Sequence, residues 1–182
     1  MKIKNCTVFC GSRDGFDPIF SQTAIELGKA LAQADITLIF GGGATGLMGK
    51  VANGALQAGG QVEGYITDFL EEREHRHGGL TKLEVLSDMP ARKERLFTLG
   101  DAYIILPGGF GTFDEFTEVL VNRQLALHNK PIIILNIAHW ADALLQLLNV
   151  TIEQGFAETE SHNFYQVVED VPSAIKALSG SL

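Results

Sequence analysis

Two glycine-rich turns, each joining an apolar strand-like run to a helix-like run, constrain the fold of this chain most. One, Gly41-Gly42-Gly43-Ala44-Thr45-Gly46, follows Leu38-Ile39-Phe40. The other, Pro107-Gly108-Gly109-Phe110-Gly111-Thr112, follows Ala102-Tyr103-Ile104-Ile105-Leu106. Glycine lets the backbone come close to a neighbouring chain or ligand, and the amides that open the next helix favour an anion. Strand–turn–helix units of this kind are typical of α/β proteins.

The alternation of strands and helices extends over the whole chain. The apolar runs are rich in Ile, Val and Leu with little alternation, which indicates a sheet covered on both faces. Strands are predicted over residues 3–10, 36–40, 61–66, 83–86, 102–106, 131–135 and 165–168, and helices over 18–34, 47–58, 90–99, 113–126, 140–154 and 172–178. Asp17-Pro18 and Asp88-Met89-Pro90 are helix-start signals. The sequence therefore predicts one Rossmann-like domain over residues 1–182, with a doubly wound parallel sheet of about seven strands and helices on both faces.

Composition narrows the possible partners. The chain has 182 residues, of which 46% are hydrophobic, enough for one sizeable core. Its net charge of −8 argues against a nucleic-acid partner or an anionic membrane surface. No apolar run approaches the roughly 20 residues of a spanning helix. Met1-Lys2-Ile3-Lys4 leads directly into a strand without a signal-peptide pattern, so we expect a cytoplasmic protein.

The residues that most often bind metals do not form a convincing site. Cys6 and Cys10 are expected on one strand, roughly 13 Å apart. That is too far for a disulfide or a shared metal, and it fits a reducing compartment. His75-Arg76-His77 lies in a polar, glycine-flanked segment that is typical of a solvated loop. We predict neither a metal nor a cofactor.

The two turns indicate a phosphate ligand. Neither is a Walker loop, since no Gly-Lys-Ser/Thr follows, and neither completes the dinucleotide fingerprint. Ligands of parallel sheets bind beyond the carboxyl ends of the strands, so both turns can face one crevice. Glu115 lies one turn beyond the second set of glycines. A phosphate cradle beside a carboxylate indicates a phosphorylated sugar, while tight packing is the alternative explanation for either turn alone.

Three charged residues each allow a structural and a functional interpretation. Arg92 can offer a planar fork to a carboxylate or phosphate, with Lys93 about 100° around the helix. Composition alone favours a solvated charged face for both. Glu115 could complete a capping box with Thr112, the Thr-x-x-Glu pattern that begins a helix. The glycines and Arg92 favour a catalytic role for Glu115 instead.

Together these residues resemble the LOG ("Lonely guy") family of cytokinin riboside 5′-monophosphate phosphoribohydrolases. Residues 107–115 carry its Pro-Gly-Gly-x-Gly-Thr-x-x-Glu signature, and residues 89–93 carry Met-x-x-Arg-Lys. The glycine turn of residues 41–49 and Cys10-Gly11-Ser12 also match. The similarity covers nearly the whole chain. Departures include Pro90-Ala91, where many relatives have His-Glu.

The resemblance implies hydrolysis of the N-glycosidic bond of an adenine-type nucleoside 5′-monophosphate, giving a free base and ribose 5-phosphate. It assigns catalysis to Arg92 and Glu115. It implies a homodimer and no cofactor. The remaining residues that it assigns to phosphate or nucleotide binding are Gly42, Gly43, Met89, Lys93, Gly108, Gly109, Gly111 and Thr112.

Two other functions compete with this assignment. Chains of this type are often labelled lysine decarboxylases, which requires pyridoxal phosphate and a Schiff-base lysine. No lysine here has a convincing setting for that role, so we disfavour it. A non-catalytic carrier of a nucleotide or phosphorylated cofactor would keep both glycine turns without needing Arg92 and Glu115 together.

The apolar residues of two helices bear on the homodimer. They exceed what one stripe packed on a sheet requires, although a broad contact with the chain's own core would also explain them. These residues are Leu96, Phe97, Leu99, Phe113, Phe116, Val119 and Leu120.

Overall fold

The computed structural model describes residues 2–180, apart from the side chains of Glu72 and Arg73. Its strands are β1 (Asn5–Phe9), β2 (Thr37–Phe40), β3 (Val62–Thr67), β4 (Lys82–Leu86), β5 (Ala102–Ile105), β6 (Ile132–Leu135) and β7 (Gln166–Val168). Its helices are α1 (Pro18–Gln33), α2 (Gly46–Gln57), α3 (Asp68–Glu74), α4 (Met89–Leu99), α5 (Phe110–Gln124), α6 (Asp142–Glu153) and α7 (Val171–Ser179), with 3₁₀ turns at Ile137–His139 and Thr159–Asn163.

All seven strands form one parallel sheet in the order β4-β3-β2-β1-β5-β6-β7. One apolar core lies between the sheet and α1, α2 and α7, and a second lies between the opposite face and α4, α5 and α6. Strands β5 and β6 are buried along their whole length, as their unbroken apolar sequences predict. The predicted doubly wound sheet of about seven strands is confirmed.

The helix-start signals are also confirmed. The Asp17 carboxylate accepts a hydrogen bond from the Ile19 amide at 2.9 Å and caps α1. The Asp88 carboxylate accepts one from the Ala91 amide at 2.8 Å and caps α4. Each cap satisfies an amide that has no partner within its helix. No helix in the described part of the chain is both long enough and apolar enough to span a membrane.

Helix α5 begins earlier than its sequence predicts. It starts at Phe110 rather than at Phe113, with Gly109 as its N-cap, and the Phe113 amide donates to the Gly109 carbonyl at 3.1 Å. The glycines of residues 107–112 predict a turn, but the cost of glycine applies to a helix interior and the first turn tolerates it. The alternative in which Glu115 completes a capping box with Thr112 does not hold, because Thr112 lies inside the helix and the Glu115 side chain turns to Arg92.

Helix α3 was not predicted. Its signals are Thr67 at the N-cap and acidic residues in the first turn, but seven residues give too short a periodic pattern. The segment after it, residues 75–77, is a largely solvated loop, as predicted, with His75 and Arg76 exposed. Its backbone forms a strap against the turn after β2. The His77 amide donates to the Gly42 carbonyl at 2.9 Å, and Gly43 and Arg76 form an isolated antiparallel β-bridge.

The strand order fixes where a crevice can form. From β1 the chain first builds outward through β2, β3 and β4, and then returns to place β5 on the other side of β1. The loops after β1 and β5 therefore leave the sheet in opposite directions, which opens a crevice between them. The two loops meet at its floor, where the Gly11 amide donates to the Pro107 carbonyl at 3.0 Å.

Candidate active site

A cavity of about 780 Å³ occupies the crevice between β1 and β5. Its walls are the loop of residues 10–15 after β1, the glycine turn and first turn of α5 over residues 107–112, and side chains from α3 and α4. Such a volume suits a small organic ligand. The sheet topology thus brings together segments that are about 100 residues apart in sequence.

In this cavity the buried Arg92 pairs with Glu115, whose side chain is 13% exposed. Arg92 is only 5% exposed, so the solvated-face interpretation of this residue is wrong. Its Nε donates to the Tyr65 carbonyl at 2.8 Å and its Nη1 donates to Glu115 Oε1 at 3.2 Å. Gly41 makes room for the guanidinium, because a Cβ there would overlap Nη2.

Burial changes the acidity of Glu115. It raises the pKa of this carboxyl group to about 7, against the opposing effect of the Arg92 guanidinium; the nearby carboxylates of Asp114 and Glu74 add to the rise. Near neutral pH the group therefore exists in both protonation states. A carboxyl group with such a pKa can exchange protons with a bound substrate or water.

The second glycine turn forms one wall of the cavity. Gly108, Gly109, Gly111 and Thr112 all line it. A Cβ at Gly108 would lie 2.5 Å from the Thr112 Cβ, whereas a Cβ at Gly109 or Gly111 would meet open space. The first amides of α5 have no partner within the helix and carry its positive dipole end, so they can hold a phosphate.

The other residues assigned from sequence lie at different distances from the cavity. Met89 lines it, at the start of α4. Gly42 and Gly43 support its wall without lining it. Gly42 turns the chain at φ +81°, and Gly43 leaves space for Met48 and Glu74. Lys93 is not among the lining residues; its Nζ bonds the carboxylates of Asp114, which does line the cavity, at 2.8 Å, and of Glu118.

Sequence reasoning missed several residues that line the cavity. They are Ser12, Arg13, Asp14, Leu70, Glu74 and Trp140. The loop after β1 could be assigned to the site only once β1 and β5 were known to be neighbours. Trp140, the chain's one tryptophan, stacks on Phe113 with ring centroids 6.3 Å apart, so its fluorescence can report ligand binding.

The cysteine and histidine side chains considered as metal ligands have other surroundings. Cys6 and Cys10 are both buried free thiols, and burial raises the pKa of each. His77 lies 3.0 Å from the Asn53 side chain through Nε2, and its Nδ1 accepts from the Gly79 amide. Within the described residues, no three His, Cys, Asp or Glu side chains come together as metal ligands.

The fold and site define a Rossmann-like α/β protein with a buried arginine–carboxylate pair at its switch point. A family model described as "Possible lysine decarboxylase" matches residues 48–178. A cytokinin riboside 5′-monophosphate phosphoribohydrolase of Rhodococcoides fascians is 42% identical over 176 residues, 96% of this chain and 89% of that one. An Arabidopsis thaliana protein of the same name is 35% identical over 173 residues, 95% of this chain and 80% of that one. The chain belongs to this family, the LOG phosphoribohydrolases.

Solved structures of more distant proteins share the fold. A molybdenum cofactor binding protein from Rippkaea orientalis superposes with a TM-score of 0.75 at 22% identity, covering 98% of this chain and 97% of that one. The molybdenum cofactor carrier protein of Chlamydomonas reinhardtii gives a TM-score of 0.73 at 20% identity, covering 98% and 99%. At such low identity these similarities support the architecture and carry no argument about ligands.

Proposed function

We propose that this protein hydrolyses the N-glycosidic bond of adenine-type nucleoside 5′-monophosphates, either AMP or a cytokinin riboside monophosphate, to the free base and ribose 5-phosphate. The observation that carries the proposal is the buried Arg92–Glu115 pair, which shares one cavity with a glycine turn at a helix N-terminus. Relatives up to 42% identical are named for this activity.

The pair suits the chemistry of that bond. Cleavage builds positive charge on the ribose, and the Glu115 carboxylate can stabilise this charge and orient the attacking water. Arg92 holds Glu115 in place and favours its ionised form. In this proposal Gly108, Gly109, Gly111 and Thr112 bind the phosphate and Met89 contacts the nucleoside. Gly42, Gly43 and Lys93 support the cavity wall from behind.

Two rival functions fit the cavity less well. Lysine decarboxylation needs an amine for a Schiff base, and no lysine is among the residues that line the cavity. A carrier of a phosphorylated ligand would use the glycine turn. It would gain nothing from a buried carboxyl group whose pKa lies about 7, beside an arginine. Hydrolysis uses both features.

We further infer a cytoplasmic homodimer. The free buried thiols of Cys6 and Cys10 suit a reducing compartment. Apolar side chains remain exposed near the end of α5 and on α6, the surface that we assign to the second copy. They are Val121, Leu125, Leu127, Leu147 and Val150.

The proposal predicts that hydrolysis depends on the 5′-phosphate. Chromatography of the released base, with AMP, a prenylated AMP and adenosine as substrates, tests it. We expect the monophosphates to be cleaved and adenosine hardly at all, because adenosine offers no anion to the first turn of α5. Equal rates on AMP and adenosine would contradict this use of the glycine turn. Binding without base release would favour the carrier.

A further inference from the structure

Glu74, the last residue of α3, places a second carboxyl group in the cavity. Its Oε2 is shielded from solvent and has no hydrogen-bond partner among the described residues. A buried polar atom without a partner costs free energy, and such atoms are uncommon in folded proteins. Such an atom disfavours the ionised form, so the Glu74 side chain that lines the cavity is favoured as the neutral, proton-bearing carboxyl group.

The backbone holds Glu74 in this position. The Ala44 amide donates to the Glu74 carbonyl at 3.2 Å and to the His75 carbonyl at 2.6 Å. A Cβ at Gly43 would lie 3.3 Å from Glu74 Oε2 and 3.2 Å from its Cβ. The first glycine turn and the strap of residues 75–77 therefore fix the carboxyl group, and Gly43 leaves the space that it fills.

Charged and titratable groups face Glu74 from three sides. Arg92 comes from α4, Glu115 from α5 and the Cys10 thiol from the loop after β1. Burial raises the pKa of Glu74, and the Arg92 guanidinium opposes this rise. Glu115 also bonds Arg92 directly, whereas Glu74 does not in the described contacts. Two carboxyl groups in such different settings suit separate acid and base roles.

We propose that Glu74 is a further catalytic residue, the general acid that protonates the departing purine. The inference rests on the hydrolase function proposed above. As the C1′–N9 bond breaks, its electron pair moves into the purine and the Glu74 proton goes to N7, so the base leaves neutral. Water bonds to C1′ and gives its proton to the Glu115 carboxylate. Glu74 ends ionised and Glu115 protonated, and exchange with solvent restores both.

The test combines one substitution with one change in the substrate. Glu74→Gln keeps the shape of the side chain but carries no acidic proton, and 7-deaza-AMP lacks the nitrogen that would receive it. We expect either change alone to lower turnover about a hundredfold, in the range of general acid catalysis. The variant acting on 7-deaza-AMP should show no lower turnover than either change gives alone, because both changes remove the same proton transfer. Trp140 fluorescence should show that the variant still binds AMP within a few-fold of wild type.

The control is Glu71→Gln, the same substitution on the same helix. Glu71 pairs with the exposed Arg76 at 2.9 Å and does not line the cavity, so this variant should keep wild-type turnover. Turnover of Glu74→Gln within threefold of wild type would overturn the inference. So would a turnover of this variant on 7-deaza-AMP that is lower by the product of the two separate losses. If that variant fails to fold, equal wild-type rates on AMP and 7-deaza-AMP would overturn it. A wild-type protein that releases no base refutes the hydrolase function itself, and the inference with it.

Discussion

In the proposed function, Arg92 and Glu115 form an ion pair that is kept for catalysis rather than for stability. Desolvating an ion pair costs several kcal/mol, and apolar replacements of similar volume are often as stable. Here the guanidinium is anchored to the Tyr65 carbonyl and directs one nitrogen to Glu115 at the cavity wall. This arrangement fixes the carboxyl group at a position of low solvent exposure, where its charge would act strongly on the substrate that we propose.

Glu115→Gln separates catalysis from folding. Glutamine keeps the size and a hydrogen-bonding oxygen but has no negative charge, so we expect the variant to fold and bind AMP while turnover falls about a hundredfold or more. Melting temperature, Trp140 fluorescence and base release measure the three properties. Glu118→Gln, on the same helix but away from the cavity, should retain turnover. Near-normal turnover of Glu115→Gln would contradict the catalytic assignment.

The raised pKa of Glu115 predicts a pH dependence. Glu115 acts as the carboxylate, so kcat/KM should rise through the pKa of about 7 of this group in the free enzyme. Glu74 acts only while it is protonated, so kcat/KM should fall again above the raised pKa of that group. The substrate phosphate also titrates, near pH 6. The residual activity of Glu115→Gln distinguishes the two groups. If the Glu115 carboxyl group causes the rise of kcat/KM near pH 7, the variant should not show that rise. If the substrate phosphate causes it, the variant should still show it.

At the scale of secondary-structure elements, the two glycine turns serve different purposes. The turn after β5 presents the first amides of α5 to the cavity. The turn after β2 accommodates other groups, since Gly41 leaves space for Arg92 and Gly43 for Glu74. Similar strand–glycine–helix sequences thus form one turn that lines the cavity, where we propose that the phosphate binds, and one turn that makes room for packed side chains.

Alanine substitutions in the turn after β5 should separate packing from binding. Gly108→Ala would press on Thr112, so we expect a loss of about 1–3 kcal/mol in the free energy of unfolding. Gly111→Ala meets open space and is helical, so stability should stay the same or rise by up to about 1 kcal/mol. Its methyl group would occupy phosphate space and weaken AMP binding roughly tenfold or more. Denaturant unfolding and Trp140 fluorescence measure the two effects, and unchanged AMP affinity of Gly111→Ala would place the phosphate elsewhere.

At the scale of the whole molecule, much of the apolar surface expected to support a dimer belongs to the core. Leu96, Phe116 and Val119 are fully buried. Phe97, Leu99 and Leu120 pack against the same cluster. A broad contact between helices and sheet therefore accounts for these residues. The proposed interface instead uses the exposed apolar side chains at the end of α5 and on α6.

If the two copies meet at this surface, one negative charge introduced there should separate them. Light scattering at micromolar concentration should give twice the 19.7 kDa chain mass for wild type. Leu125→Glu should give the chain mass alone, because an unpaired carboxylate would be buried between the copies. Ile19→Glu is the matched control on α1, across the sheet, and should leave the mass doubled. A wild-type protein that shows only the chain mass would refute the dimer.

The sequence alone determined the alternating elements and the residues that carry the family signature. Apolar runs with little alternation predicted the strands, and Asp17 and Asp88 predicted helix starts, because these signals act over a few neighbouring residues. The same signals did not predict α3, which is too short to show a helical period. They also placed the start of α5 too late, because its glycines indicated a turn.

Only the tertiary structure decided which residues share the cavity. Strand order placed the loop after β1 beside the turn after β5, and this choice depends on contacts between distant segments. Burial then distinguished Arg92, enclosed beneath the cavity, from Lys93, directed to surface carboxylates, although the two are adjacent in the chain. The same packing brought Glu74 to the site and raised the pKa of Glu115. Desolvation depends on everything that surrounds a group, so local sequence cannot specify it.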